Sequence, residues 1–346
     1  MMSRTRIFLI MTAALFCIGA VGQDFGWTLK FDGLFDNREY KNDMLPQTIY
    51  GMRVMPEVSI GRDMSRLNAG FSLISEFGAR DDDPLTDLIL YYTARKGKWT
   101  AHFGNIPRYH LMRQLPDAFL YDSIAFFEPM IGGTLFQYGN RRLTSELYCN
   151  WTGRQSETRR ETFRIVWDGY FGSDIKGFGG GWFAALTHYA KPKEPGHYIY
   201  EKIQLNPYLS ARYRSGDILL SADAGLLCSL VRCRKEENWH TPAGFLASLK
   251  AKWRIVDLSS TVYAGDSQQP FLNDPEAGLA FHRSDPFYNH SFYNRTGLGV
   301  RLFSDDYVDF SFRWNLHFTP DTPVHNQQLI TVKFFTGSRK RSGRGG

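Results

Sequence analysis

A side-chain alternation with a period of two runs through this chain and limits its possible folds more than any other pattern in it. In residues 307–318, YVDFSFRWNLHF, Val308, Phe310, Phe312, Trp314, Leu316 and Phe318 share one face, and Tyr307, Asp309, Ser311, Arg313, Asn315 and His317 the other. Successive side chains of a strand point to opposite sides, so such a segment needs one apolar and one wet neighbour. The same pattern recurs in QTIYGMRVMPEVSIG (47–61), RETFRIVWDGYF (160–171) and PAGFLASLKAKWR (242–254). From Gly26 onward no helical periodicity of useful length competes with it, and about sixteen such segments can be traced. A soluble half-buried strand and a membrane-crossing strand both satisfy this pattern, but they differ in length. Soluble strands run to about 5 or 6 residues, whereas a tilted membrane-crossing strand needs about 9 to 11. Most segments here are of the longer kind, and no repeat of about 40 to 50 residues points to a propeller.

The connections add a second regularity. Long ones at 37–47, 78–86, 105–130, 153–160, 191–202, 231–242, 267–290 and 319–327 alternate with tight ones such as RKGK (95–98), GNRR (139–142), RSGD (214–217) and SDD (304–306). Long and short connections therefore fall on opposite rims of an up-and-down meander, as in an outer-membrane barrel. The expected fold is all-β: a transmembrane antiparallel up-and-down β-barrel of about 16 strands.

Composition agrees. The mean hydropathy of −0.35 excludes a bundle of apolar membrane helices. The only long apolar run is in MMSRTRIFLIMTAALFCIGAVG, where Arg4 and Arg6 precede an apolar stretch and the small residues Ala20, Val21 and Gly22. Residues 1–22 are expected to be a secretory signal peptide. Of the formal net charge of +6, two charges sit at Arg4 and Arg6 and four at Arg339, Lys340, Arg341 and Arg344, which leaves the body neutral. Nucleic-acid binding has no support outside that short tail. Cys149, Cys228 and Cys233 form no disulfide framework or zinc spacing, and six of the nine histidines fall in connections without metal-ligand spacing. No metal or other cofactor is expected.

The leader, the meander and the last strand QQLITVKFF, with its aromatic end, resemble the 16- to 18-stranded porins of Gram-negative bacteria. The resemblance covers almost the whole chain and is architectural. It implies a signal peptide over 1–22, an outer-membrane barrel over 23–336 and a basic tail over 337–346, beyond the point at which porins usually stop. It also implies a bacterial outer-membrane location, contact with outer-membrane lipid, delivery by the barrel-assembly machinery, and the trimeric assembly often found in this class. The function implied is a passive diffusion channel for small hydrophilic solutes, with no bond chemistry.

In such a barrel the polar phase lines a lumen. The phase assigns Arg53, Glu57, Glu76, Arg164, Asp168, Arg212, Asp223, Arg295, Arg301 and Arg313 to the pore lining. Residues 105–129 follow the fifth strand, from which the constriction loop of 16-stranded porins folds inward. The segment carries apolar anchors from Leu111 to Phe127, and its charges Arg108, Arg113, Asp117, Asp122 and Glu128 are expected to form the constriction. The other long connection, 267–290, is expected at the rim. The alternative is a surface-binding or envelope-assembly barrel, in which the long connections 105–130 and 267–290 hold a glycan through DPFYNHSFYN and similar aromatic, amide-rich patches. A third reading, an outer-membrane lipid hydrolase, rests on His282 and Ser284 in FHRSD, which resemble the base and nucleophile of outer-membrane phospholipases.

Overall fold

The computed structural model describes residues 24–338 apart from 42–46, 63, 79–84, 174, 237 and 322–323, so the leader and most of the basic tail lie outside the described residues. The sixteen strands are β1 Asp24–Glu39, β2 Gln47–Arg62, β3 Ser65–Glu76, β4 Leu85–Lys96, β5 Trp99–Pro107, β6 Met130–Gly139, β7 Leu143–Gly153 and β8 Thr162–Phe171, followed by β9 Gly177–Tyr189, β10 Tyr200–Ser215, β11 Ile218–Cys233, β12 Ala243–Trp253, β13 Val256–Gly265, β14 Phe292–Ser304, β15 Val308–Phe318 and β16 His325–Gly337. Each pairs antiparallel with its neighbours in sequence. β16 returns to β1 in a register running from Thr28↔Gly337 to Glu39↔Asn326, which closes the barrel. Closure removes the two edges whose unpaired amides would be intolerable in hydrocarbon.

Both chain ends of the barrel lie at the rim of short turns. There the chain reverses in two residues between Ser215 and Ile218 and between Lys96 and Trp99, with Gly216 at φ 55° and Gly97 at φ 59°. Glycine takes this left-handed backbone without a Cβ clash. At the corresponding place between β12 and β13 the position is filled by Arg254 at φ 50°, whose guanidinium bonds Asp217 Oδ2 at 2.8 Å.

The outer surface carries the apolar phase. Leu209 (72% exposed), Phe103 (68%) and Leu249 (63%) stand out from three different strands, a degree of apolar exposure that a soluble monomer rarely tolerates over a whole circumference. Exposed aromatics ring both ends of this band, with Trp27, Trp99 and Trp253 toward the short turns and Tyr50, Phe77 and Trp151 toward the long loops. These are the girdles of a transmembrane barrel. The segment 307–318 resolves as its pattern demands: Trp314 faces out, while Ser311 and Arg313 line the lumen.

One expectation is corrected. Residues 266–291 do not stay at the rim but fold into the barrel, burying Phe271, Phe281, Phe287 and Tyr288. Aromatic side chains that would have to sit in water at a rim bury their surface against the inward aromatics of the wall instead. Cys149, Cys228 and Cys233 are free thiols.

The two faces of β15 give a direct test. Phe312→Arg places a charge on the outer band and should destabilise the assembled barrel by about 2 to 4 kcal/mol. Ser311→Arg, one residue away, should leave folding intact. The heat-dependent mobility shift of the refolded protein on a gel reads both.

Candidate functional site

The site is built from the two long connections that enter the lumen. Residues 108–129 form a helical turn at Arg108–His110 and a short helix at Asp122–Phe127. Leu111, Phe119 and Leu120 pack on inward wall residues including Ile89, Ile106, Ile131, Leu135 and Val166, while Phe126 packs on Ile49 and Ile74. The approach is close at Gly51, where a Cβ would lie 3.2 Å from the Phe126 ring. The 266–291 segment covers the opposite side, with Phe271 and Phe281 against Tyr200 and Val231, and Phe287 and Tyr288 against Tyr263 and Tyr293. The loops join along their backbones: Tyr121 N–H donates to Arg283 O and Asp285 N–H to Asp117 O, each at 2.9 Å. Arg283 and Glu128 form an ion pair across the same seam.

The five charges of 108–129 have distinct environments. Asp117 and Asp122 both hold Arg295 of β14, at 2.5 and 2.9 Å. Burial pushes the Asp117 carboxyl above its ordinary range, with Arg295 acting against the shift. Arg108 donates from Nε to Glu128 O at 2.6 Å. Arg113 turns to the wall, 3.7 Å from Asp168 and 3.2 Å from the Tyr208 hydroxyl, with its guanidinium 4.6 Å from the Tyr170 ring. Arg108, Asp117 and Asp122 thus face open space, whereas Arg113 and Glu128 are engaged with the wall and the second loop.

That open space is a vestibule of about 1160 Å³. Its walls come from the short-turn halves of the strands, such as Lys30 and Asp32 of β1 and Lys333 of β16, and its far end is the underside of the loops at Tyr109, Asp117, Asp122 and Phe126. Of the residues assigned by phase to the pore, Arg53, Glu57, Arg295 and Arg313 line it. Arg53 pairs with Asp32 at 2.5 Å and Arg313 with Asp257. The others lie elsewhere on the inner wall: Arg212 pairs with Asp223 at 2.8 Å, Arg301 with Asp309 at 3.4 Å, and Arg164 and Asp168 are buried. Glu76 shares the inward phase of Asn68, Ser72 and Ile74.

A model of the lipid A 3′-O-deacylase-type family matches residues 23–171, less than half of the chain. No curated protein sequence matches it. Among solved structures, OpdL of Pseudomonas aeruginosa is 11% identical, with 91% of this chain and 99% of that one aligned at a TM-score of 0.54. OccK2 (OpdF) of P. aeruginosa, solved in complex with glucuronate, is 11% identical at 0.51, and OccAB3 of Acinetobacter baumannii is 9% identical at 0.51, both with the same coverage. The fold is that of the large outer-membrane porins.

Within this porin fold, the half of the lumen nearest the long loops is closed by a buried polar cluster that period-two reading did not single out. Phe287 stacks over Tyr293 (centroids 5.1 Å apart) and His317 (4.6 Å), which lie side by side with centroids 5.9 Å apart. Gln327 donates to Asp36 Oδ1 at 2.9 Å, so its Oε1 faces Asn315 Nδ2 at 2.9 Å and His317 Nε2 at 3.2 Å. His317 Nε2 must therefore carry a hydrogen. The Tyr293 hydroxyl then lies 2.7 Å from His317 Nδ1 and 3.1 Å from Asp285 Oδ2, with one proton for two acceptors. If the imidazole is neutral, that proton goes to Nδ1, and Asp285 must supply its own to Tyr293. Burial raises the Asp285 carboxyl to about 7, with Arg295 opposing, in keeping with a protonated acid.

The sequence placed His282 and Ser284 together as a hydrolytic pair, and both are buried. Neither ring nitrogen of His282 has a hydrogen-bond partner, and Ser284 Oγ accepts from Gln269 Nε2 at 2.7 Å. In the stretch matched by the family model a hydroxyl meets an imidazole at Thr93 Oγ1 with His102 Nδ1 (2.9 Å), which is buried, and at the Tyr91 hydroxyl with His110 Nε2 (2.7 Å), where His110 borders the vestibule. The apolar residues of 266–291 are of the same kind as those of 108–129, but a rim patch could carry them equally well.

A carboxyl whose folded pKa is raised contributes stability below its unfolded pKa that is lost as pH rises through the folded one. Asp285 should therefore weaken the plug between about pH 4 and pH 7, by on the order of a few kcal/mol. Asp285→Asn keeps an acceptor for Phe287 N–H and a donor for Tyr293. It should flatten the fall in thermal midpoint between pH 5 and pH 8, and a fall as steep as that of the unaltered protein would count against the protonated acid.

Proposed function

We propose that this protein is an outer-membrane channel for passive diffusion of small hydrophilic solutes, with the two inward loops forming its narrowest part. The vestibule carries the reading: it is wide, polar and charged, opens toward the short-turn rim and ends against a lid built of loop rather than of barrel wall. A lumen lined this way selects by width and by field, without covalent chemistry. In this reading Arg108, Asp117 and Asp122 border the passage directly, while Arg113 and Glu128 fix the loop that presents them.

The field has a sign. Eight Lys or Arg side chains and five Asp or Glu line the vestibule, so it should favour anions. Charges in a narrow, partly water-depleted passage act on an ion more strongly than charges at a rim, because the effective dielectric is lower. The glucuronate complex is a property of OccK2, but an organic anion of this size is a reasonable first solute for this chain too.

A lipid hydrolase is the second reading, and the family-model match over 23–171 supports it. His282 and Ser284 are buried and not bonded to each other, and the Thr93–His102 contact is buried too, which favours the channel. No catalytic group is assigned, and release of fatty acid from outer-membrane lipid by the purified protein would overturn this choice.

Planar-bilayer recording tests the proposal. Trimming 109–127 or 269–287 should each raise single-channel conductance. Asp117→Asn with Asp122→Asn should move the reversal potential further toward anions, since Arg295 then loses both counter-charges. Folded protein with neither loop affecting conductance would show that they are not the constriction.

A further inference from the structure

Three neighbouring strands bring cations together on the inner wall. Arg164 of β8 is the register partner of Thr187 of β9, which is the partner of Lys202 of β10, so Arg164 and Lys202 lie at one level. The 266–291 loop lays His282, Arg283 and Ser284 over them, and the group encloses a cavity of about 10 Å³, room for one species the size of a water molecule. This cavity is separate from the vestibule.

The groups around it have hydrogens to give and few acceptors to receive them. Lys202 is 7% exposed and spends one of its three N–H bonds on Gln268 O at 3.1 Å. The Arg164 guanidinium is 5% exposed, and Glu128 is the carboxylate that acts on it. His282 is 1% exposed and neither of its ring nitrogens is bonded, and Arg283 Nε is likewise unpartnered. The Ser284 hydroxyl accepts from Gln269, which leaves its own hydrogen to donate. Gln204 Nε2 donates to Ala118 O at 3.0 Å, which leaves Gln204 Oε1 and the Thr187 hydroxyl as the side-chain acceptors of the lining, neither of them charged.

The charge is out of balance in the same direction. Arg164 and Arg283 are cations, Lys202 is a third when it carries its proton, and the carboxylate joined to them is Glu128, paired with Arg283. An uncompensated buried charge is costly even after relaxation, and converging donors with few acceptors add a desolvation cost of their own. One anion in the cavity relieves both. The volume suits a monatomic anion and is too small for a carboxylate or a phosphate.

We propose that this cavity is a halide site, in which a single chloride-sized anion accepts from Lys202, Arg164, His282 and Ser284 and pins the 266–291 loop to β8–β10. His282 needs only the one N–H of its neutral form for this. The proposal concerns the fastening of the loop and stands whether or not the barrel conducts.

Crystals of the unaltered protein grown with sodium bromide in place of chloride test it directly. Anomalous scattering at the bromine edge should give a peak within hydrogen-bonding distance of Lys202 Nζ and His282. Bromide only at the surface or in the vestibule, with water or nothing in the cavity, would overturn the proposal. In solution, the midpoint of the heat-dependent mobility shift should fall by several degrees when chloride is replaced by gluconate at equal ionic strength. Gluconate's general effect on protein surfaces is stabilising, so the sign separates the two causes. An unchanged or higher midpoint in gluconate would also overturn it, and Lys202→Met, if it folds, should lose the halide dependence.

Discussion

Everything else in the molecule follows from the pairing of β1 with β16. Twelve registered pairs, from Thr28↔Gly337 to Glu39↔Asn326, turn an open meander into a ring without edges. Once the ring is closed, each side chain is committed to one of two environments, because a one-residue slip in any strand would exchange its apolar and polar faces. The lumen and the membrane-facing band are consequences of that closure.

A closed ring of sixteen strands leaves an interior too wide for its own side chains to fill. The protein resolves this differently in its two halves. Toward the short turns the wall charges face water, as in the Arg53–Asp32 and Arg313–Asp257 pairs around the vestibule. Toward the long loops the interior is packed like a protein core: Phe287, Tyr263 and Gln327 have no measurable exposure. The inner wall is therefore half pore and half protein interior.

The bonds that hold the plug are of two kinds. Each loop meets the wall largely through apolar contacts, such as Leu111, Phe119 and Leu120 on Ile106, Ile131 and Leu135. The loops meet each other through polar ones: Tyr121 with Arg283, Asp285 with Asp117, and Arg283 with Glu128. Water can replace a polar partner at little net cost but cannot replace apolar packing. The seam between the loops is accordingly the part of the plug least held by apolar packing, and Asp117 belongs to the seam and to the Arg295 clamp at once.

A count of about sixteen strands, the side of the long connections, the two faces of strands such as β2, β8, β12 and β15, and the entry of 105–129 were legible in the amino-acid sequence, because a period of two and an alternation of long and short connections are local properties. Arg53, Glu57, Arg295 and Arg313 were legible as lumen residues for the same reason. Which inward groups meet was settled by the three-dimensional arrangement alone. Strand phase assigns Arg164 and Arg313 to the same inner surface, yet one is sealed beneath the 266–291 loop and the other lines a vestibule. Loop 266–291 carries aromatics that could have served a rim patch, and nothing local distinguishes that from a plug. The difference lies in what stands opposite: Tyr200 and Val231, brought round by β10 and β11, together with Tyr263 and Tyr293 at the loop's own ends. The shared proton of Asp285, Tyr293 and His317 depends on that same long-range placement, because hydrogen bonding is directional and short, and no spacing along the chain encodes it.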